Sequence, residues 1–324
     1  MGVCSWTFKA GVLIHYFSRT KLALLWYIVN NDYIDTLNKQ KKIMDKQELN
    51  NAYAQIERSL EPIRTFIEKK LDDETIKKNY KGFITLQGPL VHNPEILFLG
   101  INPGQGAYVE HQLQNKEGYP VRVFDPNSPL SLDWYKDGNA RGRMNNGQWV
   151  GYKWYERSKQ INNPFVANMI DLLYAISAIR KPDDQIALRD GEQPDWYEDF
   201  GKRLMFTNLY PIATTKASDL DPIFSLMVKH PETKSLFGEK GRLRKWDAQL
   251  FFISRVEQLI GLVKPKVIVC LGIQSYNDFT YTSEKKKDRV FKTVKGNIPV
   301  IGLDRSGNWS GSIPLLAKEI ATCL

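Results

Sequence analysis

Glu95-Ile96-Leu97-Phe98-Leu99-Gly100 is the stretch that decides the fold. Four consecutive apolar residues with no polar alternation fit a strand covered on both faces, which is how strands of a parallel sheet lie between helices. Three further runs share this character: Leu204 to Tyr210 (LMFTNLY), Val267 to Gly272 (VIVCLG) and Ile298 to Asp304 (IPVIGLD). Apolar residues recur at helical spacing over Phe165 to Ile179, Trp246 to Leu262 and Ile313 to Leu324. Strands alternating with helices define an α/β protein. The pattern predicts a three-layer α/β/α sandwich with a central, mostly parallel sheet of four to five strands.

Upstream, Leu49, Tyr53, Ile56, Leu60, Ile63, Ile67 and Leu71 predict a packing helix that Pro62 bends or breaks. Residues 1–43 read differently. Their apolar run Leu22 to Val29 is eight residues long, short of the ~20 a spanning helix needs, and Asn30-Asn31-Asp32-Tyr33 is no signal-peptide cleavage site. Met44-Asp45-Lys46-Gln47-Glu48 opens a clean amphipathic pattern, so residues 1–43 read as an atypical segment, a misassigned start being preferred to a membrane anchor. Residues 44–324 then form the α/β domain. About a hundred residues separate the first two strands, too many for one crossover, and 131–155 reads as an insert. Its aromatic residues Trp134, Tyr135, Trp149, Tyr152, Trp154 and Tyr155 serve either as a satellite core, the preferred reading, or as a stacking surface for unpaired bases.

Three scattered cysteines among 324 residues (Cys4, Cys270, Cys323) exclude a disulfide framework, a four-thiolate zinc site and a cysteine-ligated iron–sulfur cluster. A reducing cytoplasm is the expected home, and neither a metal nor another cofactor is expected. The net charge of +9 favours anionic partners. Six Lys/Arg against two acids fall within residues 1–43, so the remainder is only mildly basic.

Parallel strands place ligands at their carboxyl ends, which directs the reading to the loops that follow them. Gly100-Ile101-Asn102-Pro103-Gly104-Gln105-Gly106 sets an amide at a strand exit, stiffens it with Pro103 and permits close backbone approach at Gly104 and Gly106. It has neither the ending of a phosphate-binding P-loop nor the dinucleotide fingerprint. Read alone, a lone Asn-Pro such as Asn102-Pro103 is by default a turn cap.

The stretch Ile96 to Gly104 resembles the first motif of the uracil-DNA glycosylase superfamily, above all its mismatch-specific and single-strand-selective branches. Phe206-Thr207-Asn208-Leu209-Tyr210-Pro211 is similar to that family's central strand with its base-reading Asn, and Lys264 to Gly272 resembles the segment preceding its last helix–strand unit. The resemblance spans roughly residues 85 to 324. It implies a monofunctional, metal-free DNA glycosylase in which Asn102 orients a water toward the sugar carbon and backbone amides near Gly104 and Gln105 meet the leaving base. Asn208 would read the base edge, with Tyr119 or Phe124 stacking on the ring. Such an enzyme takes the nucleotide out of the stack before cutting its N-glycosidic bond.

The family's second motif, His-Pro-Ser or Asn-Pro-Ser after the final strand, is replaced by Asp304-Arg305-Ser306, and all four histidines precede the third strand. Asp304 can only accept a hydrogen bond when ionised. It is therefore expected to activate water, to receive a donor from a modified base, or to pair with Arg305. Arg305, Asn308 and Trp309 are expected at a DNA groove or as a wedge, and Ser310-Gly311-Ser312 offers amides to a phosphate. Lys285, Lys286, Lys287, Arg289, Lys292 and Lys295 put six basic residues against Asp288 alone, an expected phosphate-contact run. No lysine occupies the strand-exit loop, which gives no basis for a Schiff-base lyase. The sequence reading is a monomeric glycosylase of uracil-like or modified pyrimidines, in DNA repair or in defence against modified foreign DNA, with no membrane partner. The rivals are an inert DNA- or protein-binding module on the same fold and a hydrolase of free nucleosides.

Overall fold

Proline lacks an N–H and clashes with the preceding helical turn, and the first helical run divides at Pro62. Helix α1 (Lys46–Arg58) stops short of it, and α2 (Glu61–Lys69) takes it into its own first turn, where no N–H is needed. In α3 (Glu74–Asn79) the Asp73 carboxylate accepts from the Thr75 and Ile76 amides at 2.8 and 3.3 Å, satisfying two donors that the first turn leaves unbonded. The computed structural model describes residues 44–86, 88–104, 121–122, 142–145, 148–151, 164–182, 195–239, 241–285, 289–305 and 309–324. The chain divides into two units, Met1–Asp45 and Lys46–Leu324, and every element described here belongs to the second.

Strands β1 (Gly82–Ile84), β2 (Ile96–Gly100), β3 (Val121–Arg122), β4 (Gly142–Asn145) and β5 (Gln148–Gly151) lead to helices α4 (Pro164–Arg180) and α5 (Asp195–Lys202). Then come β6 (Leu204–Asn208), β7 (Ile212–Ala213), α6 (Leu220–Met227), α7 (Pro231–Lys234) and α8 (Lys245–Val263). The chain ends with β8 (Val267–Leu271), α9 (Ile273–Thr280), β9 (Val290–Lys295), β10 (Ile298–Leu303) and α10 (Ile313–Ala321).

The fold is α/β, with a mostly parallel five-stranded sheet in the order β6-β2-β8-β10-β9. The four strands expected from sequence run parallel, and β9 is an antiparallel edge strand paired to β10. Charged residues such as Lys292 and Lys295 suit an edge, where they discourage further pairing; they also hide the strand from a search for apolar runs. A second, small sheet has the order β3-β1-β7, and β4 and β5 form a hairpin inside the expected insert.

β2, β6 and β8 are buried along nearly their whole length. Successive side chains point to opposite faces, and the residues divide accordingly. Ile96, Phe98, Phe206, Val269 and Ile301 pack with Met169, Leu172 and Ile176 of α4 and with Leu316 and Ile320 of α10. Leu97, Leu99, Ile268, Cys270 and Val300, one residue out of phase, are equally buried. At the head of β2 the buried Glu95 carboxylate binds Arg180 and Arg203, each at 2.6 Å, and Lys266 at 3.5 Å. Burial alone would raise its pKa; the Arg180 hydrogen bond and the three cations outweigh that and hold Glu95 below its ordinary value. Among the described residues no helix is long and apolar enough to cross a membrane.

Candidate functional site

Four parallel strands open their carboxyl ends on one edge of the sheet, and the chain leaves the neighbours β2 and β8 in opposite directions, toward β6 and toward β10. Such a reversal makes the crevice in which α/β sheets bind ligands. Asn102 and Gly104 follow β2, Asn208 ends β6, Gly272 follows β8, and Asp304 and Arg305 follow β10. The structure thus brings both asparagines, Gly104, Asp304 and Arg305 to this edge.

Asn102 is locked by its nitrogen. Its Nδ2 donates to Thr214 Oγ1 at 2.8 Å, to the Pro103 carbonyl at 3.0 Å and to the Ile212 carbonyl at 3.3 Å. The two carbonyls can only accept, and Thr214 Oγ1 spends its own proton on the Lys216 carbonyl at 2.6 Å, so it too must accept from Asn102. The chemistry of the partners therefore fixes the amide orientation, and Oδ1 is left as an acceptor on the half-buried side chain. The loop itself is clamped: Gly104 bridges to Thr214, and the Thr214 amide donates to the Pro103 carbonyl at 3.2 Å.

Asn208 is 3% exposed, and its buried Nδ2 has no hydrogen-bond partner among the described residues. A buried amide donor left unpaired is costly, and an acceptor supplied by a ligand relieves that cost. Gly100, opposite Asn208 in the ladder, makes room for the amide; a Cβ there would lie 2.2 Å from Asn208 Oδ1. The Leu209 and Tyr210 amides donate to the Gly100 and Ile101 carbonyls at 2.9 and 3.0 Å, so the exits of β6 and β2 run together.

Asp304 is buried, and its amide donates to the Arg289 carbonyl at 3.0 Å. The Arg305 guanidinium lies 5.1 Å from the centre of the Phe165 ring, its buried Nε has no partner among the described residues, and burial lowers its pKa. Its Nε stands 3.9 Å from where a Gly272 side chain would begin, and Gly272 itself has φ +137°, a conformation that needs glycine.

Trp309, expected at a DNA groove or as a wedge, sits in the core. It is 5% exposed and packs among Ile313, Leu316 and Leu303, because a large apolar ring stabilises more in a core than at a wet groove. The described members of the expected basic run are spread along β9 and the residues that precede it. Lys285 and Arg289 are exposed, and Arg289 precedes the β9 residue that faces Leu303, close to Asp304. Lys292 pairs with Glu319 at 2.6 Å, and Lys295, facing Ile298 at the opposite edge, pairs with Glu257 at 2.5 Å under the Phe279 and Tyr281 rings. Gln105, Tyr119, Phe124, Lys286, Lys287, Ser306 and Asn308, with most of the 131–155 insert, lie outside the described residues.

Thr214 escaped the sequence reading because nothing in the spacing between residues 102 and 214 marks a contact across 112 positions. Among the described residues no group of three His, Cys, Asp or Glu is placed to hold a metal ion. Compared with models of known protein families the sequence matches none, and no curated protein matches it significantly.

Proposed function

We propose that this protein is a monofunctional DNA glycosylase that hydrolyses the N-glycosidic bond of a flipped uracil-like or modified pyrimidine, working as a cytoplasmic monomer on a three-layer α/β/α scaffold. The observation that carries the reading is the pairing, at one strand-exit edge, of an amide oriented by its nitrogen with a buried amide whose nitrogen is unmatched. Asn102 Oδ1 accepts a hydrogen bond from the attacking water and so aims the water's oxygen at the sugar carbon. Asn208 Nδ2 donates to a carbonyl of the base. Asn102 is no strong base, so the rate comes from positioning and from electrostatic stabilisation of an oxocarbenium-like sugar and an anionic base. As the carbon–oxygen bond forms, the carbon–nitrogen bond breaks, its electron pair leaves with the base, and the Asp304 carboxylate takes the water's proton. Lys285, Arg289 and Arg305 supply positive charge for the phosphates.

The test is single-turnover incubation with oligonucleotides carrying uracil, thymine mismatches and modified pyrimidines, followed by alkaline cleavage. Wild type is expected to release a base from at least one member. Asn102→Ala should lower that rate on the order of 100-fold with DNA affinity kept, and Asn208→Asp should change which base is released. Equal rates for all three proteins on every oligonucleotide would overturn the assignment, and an inactive wild type that still binds DNA would favour the inert binding module.

A further inference from the structure

Beneath the end of β6 lies a buried ion pair that the reaction does not consume. Arg255 of α8, 2% exposed, donates from Nη1 to Glu57 Oε1 at 2.7 Å and to Tyr53 Oη at 3.2 Å. Glu57 and Tyr53 belong to α1 and are themselves 3% and 0% exposed. Burial works against the guanidinium's charge, and Glu57 with Tyr53 outweighs it, so its pKa is raised. The second arm of the fork reaches the sheet: Nη2 donates to the Asn208 backbone carbonyl at 3.1 Å.

A pair kept only for stability is a poor use of this position, because apolar residues of similar volume generally serve a core as well or better. The pair is also imperfect, since Arg255 Nε and Glu57 Oε2 are both buried without partners among the described residues. What an apolar replacement cannot do is grip a carbonyl. β6 is an edge strand of the main sheet, and its last residue is the buried asparagine whose amide nitrogen is unmatched. On the β2 side that strand end is held by the Leu209 and Tyr210 amides; Arg255 holds Asn208 itself.

We propose that Arg255, oriented by Glu57 and Tyr53, is a positioning residue that fixes the Asn208 backbone and thereby the aim of its side chain, a role that rests on Asn208 being the base-reading group. A guanidinium suits it because one rigid fork spans two acceptors, which a lysine ammonium does not. The clamp couples the α1–α8 pair to the site, so α1 contributes to base recognition without approaching the base.

The test uses the full chain with Arg255→Met/Glu57→Leu, which removes both charges together and leaves no lone buried ion. Denaturant unfolding is expected to give a midpoint at or above that of wild type. Single-turnover base release should fall on the order of 100-fold, the cost of a small misplacement of a reacting group, with oligonucleotide affinity unchanged. Hydrogen exchange at the Leu209 and Tyr210 amides should accelerate while the rest of the sheet keeps its protection. Arg255→Lys should fall between the double variant and wild type in both readouts, and it decides the matter if the double variant does not fold. Wild-type rate together with wild-type exchange at these amides would overturn the clamp. Should wild type release no base at all, the glycosylase reading fails by itself, and the exchange measurement still decides whether Arg255 holds the end of β6.

Discussion

Asn102 and Asn208 carry the same amide in opposite hydrogen-bonding states, and the difference is set by neighbours rather than by the residue. Thr214, Pro103 and Ile212 occupy the Asn102 nitrogen, whereas among the described residues the Asn208 nitrogen has nothing to donate to. Both asparagines could be picked out in the sequence because each follows an apolar strand; their orientations could not, because each depends on contacts from distant residues. Thr214→Val keeps the shape of Thr214 and removes the acceptor. It is expected to slow base release about tenfold, the rate equivalent of one hydrogen bond of ~1.4 kcal/mol, while leaving base choice intact. Gly100→Ala should do the reverse: a methyl 2.2 Å from Asn208 Oδ1 displaces that amide, so on the proposed reading discrimination between pyrimidines is expected to collapse, at a stability cost of about 1–3 kcal/mol. Single-turnover rates on two competing bases separate the two outcomes, and identical profiles for both variants would contradict the division of labour.

At the scale of elements, the apolar strands were legible and the charged one was not. β2, β6, β8 and the body of β10 are continuous apolar runs because both faces are covered, and their boundaries fall within a residue or two of the sequence reading. β9 carries Lys292 and Lys295 and buries only one of its six side chains, so the same criterion passes over it and reads a charge cluster instead. Strand geometry then separates the cluster, since an extended chain rises about 3.4 Å per residue; Arg289 ends near Asp304 while Lys295 faces Ile298 at the other edge. The salt dependence of DNA binding should follow this division. Each phosphate contact contributes about −0.9 to the slope of log affinity against log salt for duplex DNA. Neutralising Lys285 and Arg289 to Ala is expected to flatten the slope by up to about 1.8, and neutralising Lys292, already paired with Glu319, to leave it unchanged. Equal flattening by both changes would restore a single continuous patch.

For the molecule as a whole, the two edges of the sheet are charged for different purposes. The carboxyl edge carries Asp304, Arg305 and the two asparagines, while Glu95 at the head of β2 gathers Arg180, Arg203 and Lys266 from α4, the start of β6 and the start of β8. Sequence patterning located the strands that meet there, but not this clasp, because three cations converge on one carboxylate only after the parallel order is known. Its consequence is a pH dependence of stability. The folded protein holds Glu95 below its ordinary pKa of 4.5, so the unfolded chain binds a proton more readily, and the clasp's contribution is present in full above that value. As pH falls through 4.5 toward the lower folded value, the contribution is lost. Glu95→Gln keeps the shape and removes the charge; it should cost about 2 kcal/mol at pH 7, in the range of hydrogen bonds to charged groups. Its unfolding midpoint in urea should then converge on that of wild type as the pH drops below the ordinary carboxylate range. A gap between the two midpoints that stays constant from pH 7 to pH 3 would show that the clasp acts through packing and not through its charge.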